Sequence, residues 1–296
     1  MLAEALERIG LYCTSCRQAD DRIVQHRLTC LPDKTEGSYI ISGSLECPNC
    51  GTLYPITNGV PRFFEGMASP EIQLNQYLDS HYGGTNESYW DQIPITAPHN
   101  GVHLDAGCGV GRNTFESARH TAFAVGLDAN AGYLEAAAAI QRKGRANYRK
   151  KHRAMADTEV ESKFVPPENV IFVLADIHNP PFLMETFDSV SALNVIDSVA
   201  QPLLALGQMD AALKAGGRLL LSSPYTWTES ISKGWLETPE QTPHAFVLDL
   251  LTGSALPWCG FRYRILSEKS GIEWRIQAQD TMAYVYSVDL IEAEKI

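Results

Sequence analysis

The sequence predicts an α/β fold, in which a doubly wound, mostly parallel sheet is preceded by a small separate domain. Two observations predict the sheet. Short apolar runs alternate with helical stretches over the last two thirds of the chain, and several of these runs end in a polar residue. A pair of Cys-x-x-Cys motifs near the start marks the small domain. We therefore expect one domain over residues 1–66 and a larger one over residues 67–296.

The composition is that of a globular protein, and its net charge limits the classes of partner that we expect. The chain has 296 residues, of which 45% are hydrophobic and 20% charged, and its formal net charge is −11. This charge disfavours a nucleic-acid partner without excluding one. No apolar run approaches the roughly 20 residues that span a bilayer, and residues 1–11 contain no signal-like apolar segment. We expect a cytoplasmic protein with no membrane partner.

Glycines at alternate positions from Gly107 onward predict a tight turn between the first strand of the sheet and a helix. The apolar run over residues 101–104 ends in Asp105, and the turn follows. Backbone N–H groups of such a turn approach nucleotide-type ligands. Arg112 stands where a dinucleotide fingerprint requires glycine, and a carboxylate before the turn would face the pyrophosphate. A carboxylate suits a cationic ligand instead, and S-adenosylmethionine carries an ammonium and a sulfonium.

Acids at the ends of the next two strands support S-adenosylmethionine as the cofactor. A strand over residues 122–127 ends in Asp128, which is placed to accept hydrogen bonds from both ribose hydroxyls. A strand over Val170–Leu174 precedes Asp176, which can accept from the adenine amino group, while the Ile177 N–H reaches a ring nitrogen. The predicted cofactor-binding residues are Tyr77, Tyr82, Asp105, Gly107, Cys108, Gly109, Arg112, Asp128, Ala129, Asp176, Ile177 and Asn194.

The other elements of the larger domain continue the alternation. Tyr77 and Tyr82 lie in a polar, aromatic segment before the first strand, where they either cover the cofactor or pack. The remaining predicted elements are helices over residues 130–142 and 200–215, the second closed by Gly216 and Gly217 as a C-cap, and strands over residues 188–193, 218–222 and 282–290.

Four of the seven cysteines predict a structural zinc site. Cys13, Cys16, Cys47 and Cys50 form two Cys-x-x-Cys motifs that are separated by 30 residues. Four thiolates fill the tetrahedral coordination sphere of zinc and leave no position for a substrate. Disulfides are disfavoured in a reducing compartment, and a redox motif does not explain two copies. The metal is therefore expected to stabilise the small domain.

The segment after the second motif resembles the small zinc-ribbon proteins that activate tRNA and release-factor methyltransferases. The resemblance rests on Tyr-Pro-Ile at residues 54–56 and Gly-Val-Pro at residues 59–61. In that family the module docks on a separate methyltransferase. The resemblance implies that the same module is fused here to its catalytic domain.

Two segments of the larger domain resemble the methyltransferase half of the bifunctional ovothiol synthases. They are Asn-Val-Ile-Asp at residues 194–197 and Ser-Ser-Pro-Tyr-Thr-Trp at residues 222–227, within a similarity over roughly residues 100–236. The resemblance implies a class I, S-adenosylmethionine-dependent methyltransferase with a seven-stranded Rossmann-like sheet. Its methyl acceptor would be a small thiol-imidazole such as mercaptohistidine, methylated on a ring nitrogen. The ovothiol synthase domains lack this zinc ribbon. The predicted acceptor-side residues are Asn194, Asp197, Tyr225 and Trp227.

Other interpretations stay open. Tyr225 and Trp227 either stack on a flat heterocycle or cation, or pack against the chain that follows the strand over residues 218–222. The seven basic residues between positions 142 and 153 are either a solvated helix end and loop or a contact for an anionic partner. An RNA or protein methyltransferase could use that run or the zinc ribbon for docking, and a non-catalytic protein could bind the cofactor alone. Asn-Pro-Pro-Phe at residues 179–182 resembles an amide-methylation motif, but it follows the predicted strand over Val170–Leu174, where a turn is expected.

Overall fold

The computed structural model describes residues 3–19, 25–96, 98–227 and 241–296. Residues 228–236, which end the segment similar to ovothiol synthases, lie outside the described residues. The helices are α1 (Ala3–Ile9), α2 (Thr14–Ala19), α3 (Glu71–Tyr82), α4 (Glu87–Trp90), α5 (Arg112–Ala118), α6 (Ala131–Lys143), α7 (Pro202–Ala212) and α8 (Pro243–Thr252). The strands are β1 (Thr29–Glu36), β2 (Tyr39–Glu46), β3 (Leu53–Thr57), β4 (Val60–Pro61), β5 (Val102–Ala106), β6 (Phe123–Asp128), β7 (Arg145–Lys150), β8 (Thr158–Lys163), β9 (Val170–Leu174), β10 (Phe187–Leu193), β11 (Leu213–Ser223), β12 (Tyr263–Gln279) and β13 (Met282–Lys295).

A seven-stranded, mostly parallel sheet confirms the predicted fold class. Its strand order is β12-β13-β11-β10-β5-β6-β9. The five strands from β11 to β9 run parallel, and β13 is antiparallel to both of its neighbours. Because parallel strands end at the same edge of a sheet, the loops after β5, β6, β9, β10 and β11 meet there, which is where ligands bind in open α/β sheets.

The sheet separates two hydrophobic cores, as β9 shows. Ile171 and Val173 pack in one core, whereas Phe172 and Leu174 pack in the other, because alternate side chains of a strand point to opposite faces. The first core also receives α7 and α8, and the second receives α3, α5 and α6. Every residue of β9 is buried, as expected for a strand that is covered on both faces.

The N-terminal part forms its own four-stranded antiparallel sheet, in the order β1-β2-β3-β4. Backbone hydrogen bonds connect this N-terminal part to the end of β9 and to the turn that follows it. The Tyr12 N–H donates to the Pro181 carbonyl at 3.0 Å, and the Phe63 N–H donates to the Leu174 carbonyl at 2.8 Å. The small sheet therefore lies beside β9, at one end of the large sheet.

The predicted end of the helix over residues 200–215 is wrong. The expected helix over residues 200–215 ends at Ala212 in the structure, and β11 begins at Leu213. Leu213 is fully buried and pairs with Phe187 of β10, so burial of this side chain starts the strand before the glycine pair. Gly216 and Gly217 lie in an irregular stretch of β11 instead of forming a C-cap.

The basic run contains a strand that was not predicted. Residues 145–150 form β7, which pairs with β8 in a separate two-stranded sheet. Ala146 and Tyr148 are buried while Arg145 and Arg149 are exposed, so an alternation of period two was present in the sequence. Strand β12 was also not predicted, and β13 extends five residues beyond the predicted strand. No helix among the described residues is long and apolar enough to cross a membrane.

Candidate active site

The predicted polar residues gather at the edge where the parallel strands end. Asp105 is the next-to-last residue of β5, and Asp128 is the last residue of β6. Asp176 follows β9 by two residues, and Asn194 follows β10 directly. The strand order puts these four positions on consecutive strands of one edge.

The turn after β5, residues 107–111, is the glycine loop of this site. Gly107 has a φ of 74°, and its N–H donates to the Leu127 carbonyl at 2.7 Å. A Cβ on Gly107 would lie 2.4 Å from Cγ2 of Val195, so glycine is required there. A Cβ on Gly109 would meet only the Tyr77 ring, at 4.0 Å. The loop therefore presents its backbone to a space that Tyr77 borders.

Asp128 connects this loop to the next helix. Its Oδ2 accepts from the Gly109 N–H at 2.8 Å, and its Oδ1 accepts from the Asn130 N–H at 2.7 Å. Burial raises the pKa of Asp128 from 3.8 to about 6, although these backbone hydrogen bonds oppose the shift. Each carboxylate oxygen has a second lone pair, which leaves two acceptor sites of the kind that ribose hydroxyls need.

Asp105 is bound within a buried network. It is 2% exposed, and it accepts hydrogen bonds from Asn113 and Ser191 at 2.8 Å and from the Thr114 hydroxyl at 2.7 Å. Burial raises the pKa of Asp105, and these donors lower it. The carboxylate therefore holds the first turn of α5 beneath the glycine loop. Its proximity to a cationic ligand group stays a prediction.

Helix α3 covers the glycine loop and is fixed there by Arg112. The Arg112 guanidinium lies 5.6 to 5.9 Å from the centres of three aromatic rings, including Tyr82, and donates to the His81 carbonyl at 2.9 Å. The Tyr82 hydroxyl donates to the Val110 carbonyl at 2.9 Å. Tyr77 stacks on Tyr133 with ring centres 4.8 Å apart. Arg112 and Tyr82 thus position α3, whereas Tyr77 faces the space above the loop.

The turn after β9 contains a histidine that the sequence analysis missed. Oδ1 of Asp176 accepts from the N–H of His178 at 2.9 Å and from its Nδ1 at 2.7 Å. The Asp176 side chain is 54% exposed, so it remains accessible, while Ile177 is buried. The carbonyl of Ala129, after β6, accepts from the Met67 N–H at 2.7 Å, so the chain just after residue 66 lies beside the site.

The loop after β10, residues 194–197, and the segment that ends β11 and follows it, residues 222–227, form a connected pair that we call the acceptor loops. Asn194 and Tyr225 have φ values of 57° and 51°, which are unfavourable for residues other than glycine. The Ser222 hydroxyl donates to Oδ1 of Asn194 at 3.1 Å and joins the two loops. Backbone strain of this kind is retained where the surrounding structure enforces it, often at functional sites.

Asp197 in the first acceptor loop has one oxygen without a partner. It is 3% exposed, and its Oδ2 accepts from the Thr226 N–H at 3.0 Å and from the Thr226 hydroxyl at 2.9 Å. Among the described residues none donates to Oδ1, which is buried. The Tyr225 and Trp227 rings stack nearby, with centres 6.2 Å apart. A buried carboxylate oxygen in this state is suited to an N–H group of a bound molecule.

His244 on α8 is a second residue that the sequence analysis missed. Its Nδ1 lies 3.3 Å from the Tyr225 hydroxyl, and its Nε2 lies 3.1 Å from Oε2 of Glu268. Asp289 is 3.6 Å from Nδ1. These residues come from α8, β12 and β13, and no spacing in the sequence connects them.

The four predicted zinc ligands lie together in the small domain. The sulfur atoms of Cys13, Cys16, Cys47 and Cys50 are all within 4.8 Å of one another. A tetrahedral zinc with bonds of about 2.3 Å requires sulfur–sulfur distances of about 3.8 Å. The Cys13–Cys50 distance is 3.6 Å and the Cys16–Cys47 distance is 3.8 Å. The cluster therefore fits zinc.

Comparison with known proteins agrees with the geometry of the site. Residues 104–221 match a family model described as a methyltransferase domain. No curated protein matches the chain. Similar solved structures include S-adenosylmethionine-dependent methyltransferases from Methanosarcina mazei, Aquifex aeolicus and Mesorhizobium loti. The alignment with the Methanosarcina mazei protein covers 71% of this chain and 97% of that protein, at 18% identity and a TM-score of 0.43. The Aquifex aeolicus protein gives 77% and 100% at 12% identity and a TM-score of 0.45. The Mesorhizobium loti protein gives 72% and 100% at 16% identity and a TM-score of 0.44.

The family match spans the glycine loop, the acids after β6 and β9, and the first acceptor loop. Those are the elements that form the site at the carboxyl edge of the sheet. The sheet itself is the α/β, Rossmann-like sheet of the methyltransferase fold. Residues 104–221, which contain these elements of the candidate site, are therefore a methyltransferase domain.

Proposed function

We propose that this methyltransferase methylates a ring nitrogen of a small thiol-imidazole of the mercaptohistidine type. The observation that carries the proposal is the buried Oδ1 of Asp197, which lacks a donor among the described residues. An imidazole ring offers the N–H that this oxygen can accept, and its other nitrogen offers the lone pair that attacks a methyl group. The protein then has to align the two reactants and exclude water.

The surroundings of Asp197 support a flat, small acceptor. Tyr225 and Trp227 are half-buried and stacked, and such rings bind planar heterocycles and cations. Both rings lie in the segment that resembles the ovothiol synthases. On the cofactor side, Tyr77, Asp128 and Asp176 would hold the adenosine part, and the glycine loop would face the methionine part. S-adenosylmethionine supplies the electrophilic methyl group.

We also propose that residues 1–66 form a zinc-ribbon domain that is fused to a methyltransferase domain over residues 67–296. The cysteine cluster supports zinc. Docking within one chain is supported by two contacts: Tyr12 bonds the loop after β9, and Phe63 bonds Leu174, the last residue of β9. With four thiolates the metal would be structural. A reducing cytoplasm is the compartment that suits these thiols.

The basic run gives less support to an RNA or protein acceptor. Arg145 lies 3.0 Å from Glu161, Arg149 lies 2.6 Å from Glu159, and Lys150 lies 2.9 Å from Asp79. These pairs neutralise three of the seven basic residues of the run. Paired charges attract a phosphate backbone less than free ones, so the run is a weaker candidate for RNA binding than its sequence suggested.

Incubation of the purified protein with S-adenosylmethionine and mercaptohistidine tests the proposal. We expect the product to gain one methyl group on a ring nitrogen, as detected by mass spectrometry and NMR. The matched variant is Asp197→Asn, whose carbonyl can keep the Thr226 contacts while its amide places a donor where the open oxygen was. It should bind S-adenosylhomocysteine as the wild type does and lose methyl transfer. Wild-type protein that binds S-adenosylhomocysteine but leaves mercaptohistidine unmethylated would contradict the proposed acceptor.

A further inference from the structure

We propose that Tyr225, His244 and Glu268 form a proton relay, which carries the proton released by the acceptor from the buried site to solvent. This inference rests on the proposed function, because it places the acceptor beside Tyr225. The three residues come from the second acceptor loop, α8 and β12, so only the fold brings them together. They share the arrangement of nucleophile–histidine–carboxylate triads, with a phenol in the first position.

The hydrogen bonds define one direction for the relay. The carboxylate of Glu268 only accepts, so Nε2 of His244, at 3.1 Å, carries the imidazole proton. Nδ1 is then the unprotonated nitrogen, and the Tyr225 hydroxyl, at 3.3 Å, donates to it. The lone pairs of the Tyr225 oxygen remain available to the thiol of the acceptor, while its ring N–H faces Oδ1 of Asp197.

The charged side chains that face His244 are carboxylates. Glu268 on β12 bonds Nε2, and Asp289 on β13 lies 3.6 Å from Nδ1, so two carboxylates face the ring. Asp197, in the first acceptor loop, adds negative charge on the Tyr225 side.

The same charges keep Tyr225 protonated. Burial, followed by the charges of Asp289, Asp197 and Glu268, raises the pKa of Tyr225 well above its usual value. Tyr225 therefore does not act as a phenolate base. It accepts a proton only as it passes its own proton to His244, and this coupling requires the histidine.

The relay leads from the interior of the site to the surface. The Tyr225 ring is partly buried against the core, the His244 side chain is 18% exposed, and the Glu268 side chain is 45% exposed. A proton that reaches His244 can therefore pass to water. The left-handed backbone at Tyr225, with a φ of 51°, is consistent with a side chain that is held in a required direction.

The proton balance of the reaction requires such an exit. A nitrogen–carbon bond forms as the sulfonium becomes a thioether, and the methylated imidazole then carries an extra positive charge. The proton of its thiol goes to Oη of Tyr225 while the phenolic proton goes to Nδ1 of His244, and the ring N–H stays hydrogen-bonded to Oδ1 of Asp197. The acceptor leaves neutral, and the imidazolium of His244 returns its proton to water.

Kinetics with mercaptohistidine as the probe test the relay. His244→Gln should lower kcat about 100-fold at pH 7, which is within the range for loss of an acid–base group. The KM for mercaptohistidine and the affinity for S-adenosylhomocysteine should stay within about twofold of the wild type. Tyr225→Phe should lower kcat to a similar extent. The matched control is His152→Gln, because His152 also contacts a hydroxyl and a carboxylate, Thr158 and Asp280, but lies outside the site.

The pH profile separates the relay from a structural role. Without His244 the proton must leave directly to solvent base, so the kcat of His244→Gln should rise with pH and approach the wild-type value. A loss of kcat that is equal at every pH, or an unchanged kcat, would overturn the relay.

NMR of the nitrogen-15-labelled, full-length protein tests the relay without any acceptor. We expect the Nε2–H tautomer of His244, and we expect the Nδ1 resonance to shift in Tyr225→Phe. An Nδ1–H tautomer would overturn the relay even if mercaptohistidine is methylated. If mercaptohistidine is not methylated by the wild type, the proposed acceptor fails, and the tautomer still decides whether the relay exists.

Discussion

Asp128 holds the glycine loop, and it is also the carboxylate that we propose for the ribose of the cofactor. Its two oxygens already accept backbone N–H groups from the glycine loop and from the start of α6. A bound ribose would use the remaining lone pairs. Binding of the cofactor would thus depend on a residue whose charge is made less favourable by burial.

Asp128→Asn is expected to weaken S-adenosylhomocysteine binding by roughly tenfold to 100-fold, because hydrogen bonds to a charged group contribute about 1.5 to 3 kcal/mol. Isothermal titration calorimetry measures the change. Asp188→Asn is the control, since Asp188 pairs with Lys214 away from this edge. Equal affinities in Asp128→Asn and the wild type would remove Asp128 from the cofactor site.

The affinity for S-adenosylhomocysteine should also depend on pH through Asp128. Since the pKa of Asp128 is raised to about 6, its carboxylate becomes protonated as the pH falls through that value, and the ribose loses an acceptor. Binding should therefore weaken below about pH 6 in the wild type and show no such step in Asp128→Asn. The stability of the free protein depends on pH in the opposite direction. The raised pKa contributes stability that is present below pH 3.8 and is lost as the pH rises through about 6.

The sequence predicted the residue types at the strand ends better than their partners. Asp128 and Asn194 stand where the spacing indicated, because strand length and alternation determine which residue comes last. The network around Asp105 joins side chains from β5, α5 and β10, and the contact of Tyr225 with His244 spans 19 residues. Such contacts depend on tertiary packing, which a single sequence does not display.

The glycine loop packs against the first acceptor loop, so cofactor and acceptor sides share a contact. Val195 fills the position that a Cβ on Gly107 would occupy. A change in either loop would therefore be transmitted to the other. The same contact explains why this loop requires glycine for space as well as for its φ of 74°.

Gly107→Ala should destabilise the protein more than Gly216→Ala. Both glycines have nearly the same φ, 74° and 73°, but a Cβ on Gly216 meets nothing within 4 Å. Gly216→Ala should lower the free energy of unfolding by about 1 kcal/mol for the left-handed backbone alone. Gly107→Ala should cost at least about 1 kcal/mol more because of the clash with Val195. Urea denaturation measures both, and equal losses would contradict the clash.

At the scale of elements, local signals and burial competed. The first three parallel strands, β5, β6 and β9, lie within two residues of their predicted ends because their apolar runs are short and bounded. Helix α7 ended early because Leu213 is buried as the start of a strand. The strand β7 was missed because its basic residues, which alternate with buried Ala146 and Tyr148, suggested a solvated surface.

The whole molecule joins a small cysteine-rich sheet to the edge of a large α/β sheet. The small sheet contacts β9 and the turn that follows it, close to Asp176. A domain of this size buries little apolar surface by itself, so its order should depend on the metal. The domain boundary near residue 66 stays a prediction. Residues on both sides of it, Phe63 and Met67, form hydrogen bonds to the large α/β part, so no isolated linker marks the boundary.

Cys47→Ser should abolish stoichiometric zinc binding and lower the Tm. Elemental analysis of the purified protein should find one zinc per wild-type chain and much less in the variant. Cys30→Ser is the matched control, because Cys30 lies in the same sheet but outside the cluster. It should retain the metal. Full zinc content in Cys47→Ser would show that these four cysteines do not form the site.

Methylation of a small molecule is tested most directly by following labelled methyl groups from S-adenosylmethionine into a cell extract, which is then separated by molecular size. We expect label in the small-molecule fraction, dependent on the purified protein and lost in Asp197→Asn. Label confined to RNA or protein would contradict it and would make the zinc ribbon and the basic run the candidates for substrate recognition.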